Sequence, residues 1–258
     1  VVAKGAVAGG AVPVEGKGTG GGLINTYTDA NATTTQGQRR FQVVRVPQYF
    51  DATVTGTITA AAWNGTSGGI VAIDAAGTLT FSGGGISVNT LGFRGGGGQG
   101  LGGGGGANTD YRTRVTVANN GNKGEGVAGS PNSIYDGTGT LATGTGYPSG
   151  TNSDASRARG APGNAGGGGT DGNPGGNDEN SGGGGGGNGG AGGLGGRSWQ
   201  SNLPLGGFGG AAFPHAPARL AMGGGGGSGS RNNSADVQSS GGLGGGIIIV
   251  RANSVTGT

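Results

Sequence analysis

Uninterrupted glycine runs constrain this chain more than any other feature. Five glycines begin at Gly102, six at Gly182 and five at Gly223, and 74 of the 258 residues are glycine. Glycine has no side chain, so such segments can be ordered only through their backbones, at a cost of roughly 1–2 kcal/mol per residue. The runs are therefore either disordered linkers or segments packed so closely that only a hydrogen atom fits at each position.

Packed polyproline-II helices of glycine are the ordered solution. Such a helix has three residues per turn and no internal hydrogen bonds, so its N–H and C=O groups must pair with neighbouring helices. Cα–H···O contacts between helices add to this pairing. The runs that would form the helices are 95–106, 166–169, 182–196, 206–210, 223–229 and 241–246. Apolar residues that interrupt the runs are expected to pack on the flanks of the bundle: Leu101, Leu194, Leu205, Phe208 and Leu243.

Short strand-like segments fill residues 41–93. They are rich in Val, Ile, Thr and Phe and are bounded by Gly, Asn or Asp, as β-strands are. The main ones are 41–46, 52–58, 70–73 and 77–81. Their regular spacing fits successive coils of a β-solenoid, and a β-sandwich would show the same spacing.

One internal repeat favours the solenoid. The segment 68–76 (GGIVAIDAA) aligns with 245–253 (GGIIIVRAN), and Leu79-Thr80 then aligns with Val255-Thr256 after a one-residue gap. The repeat therefore brackets the glycine zone. We predict an all-β or irregular fold, essentially without α-helix, in which a large polyglycine-II layer is inserted into a β-solenoid.

This interpretation divides the chain into four zones. Residues 1–40 form an N-terminal arm and possible assembly contact, and 41–93 form the solenoid-like strand zone. Residues 94–246 form the polyglycine-II insertion with its loops, and 247–258 form a returning strand.

Composition disfavours several classes of protein. Only 10% of residues are charged and 31% are hydrophobic, which is little for the core of a globular enzyme. The net charge of +3 comes from scattered residues, so no nucleic-acid partner is expected. The chain has no cysteine and no stretch of 18 apolar residues, which excludes disulfides, zinc–thiolate sites and a membrane-spanning helix.

Short blocks of the chain carry a resemblance: 46–49 (VPQY), 62–65 (AWNG), 69–72 (GIVA), 91–97 (LGFRGGG) and 247–250 (IIIV). In these blocks the chain resembles the glycine-rich surface and extracellular proteins of bacteria. Its alternation of glycine islands with polar loops is also similar to glycine-rich tail-fibre adhesins of phages. Those adhesins imply a polyglycine-II sandwich whose loops contact a host receptor, and this chain departs from them in its strand zone at 41–93.

We expect an extracellular or cell-surface location. The resemblance favours it, and the start at Val1 rather than at Met is interpreted as a mature chain that has lost an export signal.

No catalytic or cofactor-binding residue is predicted. Residues 65–69 match the G-x-S-x-G pattern, but no helix signal follows them and the only histidine is His215. Asp171, Asp178 and Glu179 concentrate oxygen ligands of the kind that calcium prefers, although a solvated turn is the favoured interpretation. The chain is therefore predicted to be non-enzymatic and without a cofactor.

Two functions remain open. The first is a self-assembling subunit of a filament or surface layer, a homopolymer with assembly contacts at Val7, Val12, Ile247, Ile248, Ile249 and Val250. The second is an adhesin for glycans or cell-surface receptors. Its binding surface would be the loops 107–165 and 197–222, with Tyr135, Tyr147 and Trp199 as ligand-stacking aromatics.

Overall fold

The computed structural model describes residues 2–6, 8–9, 11–100, 106–113, 117, 119–143, 146–148, 155–176, 179–216, 219–231 and 237–257. The strands are β1 (Val2–Ala3), β2 (Val14–Glu15), β3 (Gln48–Tyr49), β4 (Ala52–Val54), β5 (Thr57–Ile58), β6 (Ile70–Phe81), β7 (Gly85–Ile86), β8 (Gly95–Gly96), β9 (Gln99–Gly100), β10 (Ser133–Tyr135), β11 (Thr140–Ala142), β12 (Ser230–Arg231) and β13 (Ile247–Gly257). The helical turns are two short 3₁₀ segments, Thr19–Gly21 and Val237–Ser239. The described part of the chain contains no α-helix, which confirms the prediction of an all-β fold.

The main sheet pairs the two copies of the sequence repeat. β13 lies parallel to β6, with Ile247 opposite Ile70 and Thr256 opposite Thr80. The register shifts by one residue between Ala252 and Ser254. The one-residue gap in the repeat alignment falls at this shift, so the aligned residues of the two copies are neighbours in space.

A third segment covers the other edge of β6. β3 and β4 both pair with β6 in parallel, and β5 pairs in parallel with β7. Three segments therefore follow one another across the sheet, and we call them layer 1 (48–58), layer 2 (70–86) and layer 3 (247–257). No sheet in the described residues is closed.

The apolar core is small and lies mainly against layer 2. One cluster of buried residues is Val54, Ala75 and Leu79, and a second is Val71, Ile73 and Val88. Because these two clusters contain few residues, the rest of the chain must be stabilised by other contacts.

Backbone hydrogen bonds provide those contacts in the glycine-rich region. Along the run 223–228, each N–H donates to a different neighbouring segment, and the order of neighbours repeats after three residues. The donor and acceptor residues are Gly223–Gly245, Gly224–Gly187, Gly225–Glu125, Gly226–Gly242, Gly227–Gly184 and Ser228–Asn122, at 2.8–2.9 Å. Acceptor numbers fall by three as donor numbers rise by three, so each neighbour runs antiparallel to the central run.

Side chains are excluded from the inner runs by these close approaches. Residues 223–228 and 164–170 are wholly buried. A Cβ atom at Gly225 would meet the carbonyl group of Arg94, and one at Gly227 would meet that of Gly167, both within 3.0 Å. At the outer runs every third position faces open space instead: Gly190, Gly193 and Gly196, and likewise Gly242 and Gly245.

The apolar residues that interrupt the runs differ in burial. Leu205 is buried, Phe208 and Leu243 are half-buried and Leu194 is exposed, while Leu101 lies outside the described residues. Around the run 206–210, side chains recur at intervals of three residues, at Leu205, Phe208 and Ala211.

Smaller sheets flank the main ones. β8, β10 and β11 form an antiparallel sheet, and β9 pairs in parallel with β12. In the predicted N-terminal arm, β1 and β2 pair with each other as a hairpin, and Lys4 forms an ion pair with Glu15.

Candidate functional site

The outer edge of β13 is an exposed edge of the main sheet. β13 pairs with β6 along one edge, and no described strand pairs with the other. Ile248 is 44% exposed and Ile249 is 43% exposed. Because successive strand residues point to opposite faces, both faces of β13 are open to solvent at this point. A long apolar edge strand of this kind is a template for pairing with another strand.

Polar side chains align across the three layers. Gln48 Nε2 donates to Asp74 Oδ2 at 3.3 Å, and Arg251 Nε donates to Asp74 Oδ1 at 2.8 Å. The hydrogen bond from Arg251 lowers the pKa of Asp74 below its ordinary value, and the same bond raises the pKa of Arg251. Further along the same two strands, the hydroxyl groups of Thr80 and Thr256 lie 3.0 Å apart. In-register parallel layers thus place similar or complementary side chains side by side.

Layer 1 presents the opposite edge of the same stack. No described strand pairs with the outer edge of β3 or β4. Tyr49 and Phe50 are exposed there, and so are Val43 and Val46 in the segment that leads into β3. An open groove of about 1050 Å³ lies between residues 42–61 and β6, with Val54, Ile73 and Leu79 in its lining.

A buried ion pair connects the strands to the glycine-rich region. Arg94 Nη2 lies 2.8 Å from Glu125 Oε1, and Arg94 Nε donates to Glu125 Oε2 at 2.8 Å. Trp63 Nε1 donates to Oε2 at 3.1 Å and the Ser130 hydroxyl donates to Oε1 at 2.9 Å. Arg94 also donates to the carbonyl of Asn64 at 3.0 Å. Every carboxylate oxygen of Glu125 is therefore occupied, which identifies it as a structural group rather than a reactive one.

Lys123 is a second buried charge in the same segment. Its Nζ donates to the carbonyl oxygens of Tyr111 and Gly160, both at 2.7 Å. Burial, with a smaller contribution from the charge of Arg112, lowers the pKa of Lys123 to about 7. The Lys123 side chain therefore connects the segments that carry Tyr111 and Gly160 to its own buried segment, and it is only 4% exposed.

The calcium candidates Asp171 and Glu179 each have a hydrogen-bond partner within the protein. Asp171 is buried, and its carboxylate accepts a hydrogen bond from the N–H of Asn173. Glu179 accepts a hydrogen bond from Asn108 Nδ2 at 2.7 Å, and Asp178 lies outside the described residues. The described part of the chain has no cluster of three acidic or histidine side chains that could hold a metal ion.

The three predicted ligand aromatics have different environments. Trp199 is 65% exposed on a loop whose backbone is tied to Asn180 by a 2.7 Å hydrogen bond. Tyr135 is half-buried, and its hydroxyl donates to the carbonyl of Gly137. Tyr147 is only 1% exposed and donates to the carbonyl of Gly124, so its ring is not available for stacking on a ligand. Its assignment to a binding surface is corrected on this point.

The predicted assembly contacts fall on two separate segments. In β13, Ile247 is half-buried, whereas Ile248, Ile249 and Val250 are exposed. Val12 is exposed next to the N-terminal hairpin, and Val7 lies outside the described residues.

Sequence reasoning missed Glu125, Lys123 and strand β3. It placed the first strand at 41–46, which is wrong, because the first strand of this zone is Gln48–Tyr49. A signal for the first two is present, because they are charged residues within the glycine-rich segment NNGNKGEG. In a segment packed through its backbone, such charges must find buried partners.

Comparisons with known proteins give no relative from which a function could be inferred. No family model matches the chain, and neither curated proteins nor solved structures show a significant similarity to it. Within the described residues, no helix has the length and apolar character required to cross a membrane.

Proposed function

We propose that this protein is a non-enzymatic, extracellular structural subunit that assembles with copies of itself into a filament or surface layer. The observation that carries the proposal is the outer edge of β13, with which no described strand pairs and along which Ile248, Ile249, Val250 and Val255 are exposed. Natural proteins usually shorten, charge or cover such edges unless they are used for pairing.

We also propose how the strands and the glycine runs are organised. We interpret the three parallel layers as coils of a β-solenoid, since their pairing is parallel and in register. We interpret the glycine runs as polyglycine-II helices. Three features support this: the three-residue repeat of their hydrogen bonds, the open position at every third residue, and the absence of positive φ angles in the runs 182–187 and 223–229.

This architecture suits a structural role. The glycine region is held by many short backbone hydrogen bonds to distant parts of the chain. It needs neither a large apolar core nor disulfides, and it carries few charged groups that could repel a neighbouring copy. We therefore assign it the role of a rigid body attached to the stacked layers.

Electron microscopy over a dilution series tests the assembly. We expect regular fibres or sheets that persist on dilution, and we expect Val255→Asp to abolish them because it places a charge on the outer strand β13, where Val255 is 58% exposed. Leu194→Asp is the matched control, since Leu194 is exposed but lies on a glycine run rather than on β13. Discrete monomers of the unmodified chain at every concentration would refute the proposal.

A receptor- or glycan-binding adhesin is the second candidate, and the presentation of Trp199 favours it. The loop that carries this exposed ring is ordered by local hydrogen bonds, including Arg197 Nε to Asn202 and Ser198 to Ser201. Gln200 and Asn202 have φ angles of 49° and 53°, a left-handed conformation that is uncommon outside glycine. Binding to glycan arrays or whole cells should then fall with Trp199→Ala and stay unchanged with Tyr27→Ala, which removes an exposed ring outside these loops. Equal binding by both variants would exclude Trp199 as the contact.

A further inference from the structure

We propose, on the basis of the self-assembling function above, that the partner of β13 is layer 1 of a second copy. The two strands pair in parallel and continue the register of the sheet. Arg251 then lies beside Gln48 of the second copy, and Thr256 lies beside Thr53 of the second copy. The contact joins two different surfaces of the same molecule.

The backbone supports this choice of partner. The two edges of a strand in a parallel sheet differ, and β6 uses one for β13 and the other for β3 and β4. The free edge of β13 faces the same direction as the edge of β6 to which β13 binds. The free edge of layer 1 faces the opposite direction, like the edge of β13 that binds β6. A second copy placed above β13 therefore repeats a strand contact that the chain already makes twice.

The side chains along the register are compatible with the same contact. Gln48, Asp74 and Arg251 occupy one position in the three layers, and Thr53, Thr80 and Thr256 occupy another. The Arg251 side chain is 78% exposed although it pairs with Asp74. The guanidinium N–H groups that Asp74 does not use can therefore donate to the amide oxygen of Gln48 of the second copy. Threonine hydroxyls already pair between β6 and β13, and the next copy would extend that row.

The proposed pairing starts where layer 1 starts. Its first strand, β3, begins at Gln48, and β4 ends at Val54. The contact therefore involves residues 48–54 of one copy and 251–257 of the other. Because the two surfaces differ, the contact is heterologous and adds subunits without closing at a dimer.

Engineered cysteines test this register, and the chain contains no cysteine of its own. In the double variant Thr53→Cys, Thr256→Cys the two positions within one molecule are separated by two strand spacings, about 9.5 Å. A disulfide needs Cα atoms within about 7 Å, so none can form inside one copy. Between stacked copies the same positions are directly opposite, at one strand spacing. We expect mild oxidation to give a series of disulfide-linked oligomers on a non-reducing gel.

Control variants separate the alternatives. Thr256→Cys alone should give no dimer, and a strong dimer band would overturn the proposal because it requires two β13 edges to pair with each other. Thr53→Cys with Ile249→Cys is out of register, and a series of oligomers as strong as that of the in-register pair would also overturn it.

Electron microscopy of the same samples distinguishes the failure of this register from the failure of the proposed function. Filaments without the in-register oligomers would refute the contact and leave self-assembly standing. Monomers without filaments from the unmodified chain would refute both.

Discussion

The hydroxyl groups of Thr78 and Ser254 lie 2.9 Å apart, although 176 residues separate them in the chain. They are opposite each other immediately after the register shift between β6 and β13. The chain leaves the sheet after layer 2, builds the glycine-rich region and returns to the same sheet beside the strand it left. Such a long excursion is tolerated because the entropy of loop closure grows only slowly with loop length.

Substitution of an inner glycine should destabilise the protein far more than substitution of an outer one. In Gly225→Ala the new methyl group would meet the backbone of Arg94 and Gly95, which cannot move without breaking hydrogen bonds. We expect the free energy of unfolding to fall by about 1–3 kcal/mol or more, as for an overpacked core.

Gly242→Ala is the matched control, because its Cβ has no neighbour within 4 Å. Its free energy of unfolding should stay within about 1 kcal/mol of the unmodified chain. Urea unfolding measures both variants, and equal losses would show that the inner run is not closely packed.

Removal of one partner of the Arg94–Glu125 ion pair should lower the free energy of unfolding strongly. Arg94→Met leaves a carboxylate buried without its cation, and we expect a loss of about 3–5 kcal/mol in urea unfolding. The double variant Arg94→Met, Glu125→Met should recover part of this loss, because it removes the unpaired charge. Arg251→Met breaks the exposed pair with Asp74 and should change stability little. A small effect of Arg94→Met would contradict the buried location of the pair.

Lys123 should make stability depend on pH. Its pKa of about 7 in the folded protein lies below its ordinary value of 10.5, so between these values the unfolded chain binds more protons. The free energy of unfolding should therefore rise with pH across this window, by up to about 1.4 kcal/mol per unit. The destabilisation caused by burying the charged Lys123 ammonium group is fully present below pH 7.

Chemical unfolding at pH 7, 8 and 9.5 checks this dependence. Lys123→Met should remove the rise that the side chain causes, and Lys17→Met, at an exposed site, should keep it. If the free energy of unfolding had the same pH dependence in all three proteins, a buried Lys123 with a lowered pKa would be ruled out.

The strand repeat was predictable from sequence, because apolar β-branched residues and a shared Gly-Gly start recur in 68–76 and 245–253. Layer 1 was harder to recognise as a counterpart of the repeat, since its Phe50 and Asp51 interrupt the pattern that the other two layers share. Its pairing with β6 became visible only in three dimensions.

The partners of individual glycines could not be predicted. One glycine carries the same chemical information as the next, so the choice of neighbouring run depends on the whole arrangement. The burial of Tyr147 was missed for a related reason, because polar loops around it indicated exposure, whereas its hydroxyl reaches a carbonyl of an inner run.

Amide hydrogen exchange tests most directly whether the glycine runs form an ordered, backbone-bonded scaffold. Gly192 and Gly195 donate to Gly210 and Gly207 at 2.8 Å, whereas Gly193 and Gly196 in the same run have no acceptor among the described residues. We expect slow exchange at Gly192, Gly195 and Gly225, and fast exchange at Gly193 and Gly196. Fast exchange at all five, at the rate of an unfolded chain, would show that the runs are disordered linkers and would contradict the proposed scaffold.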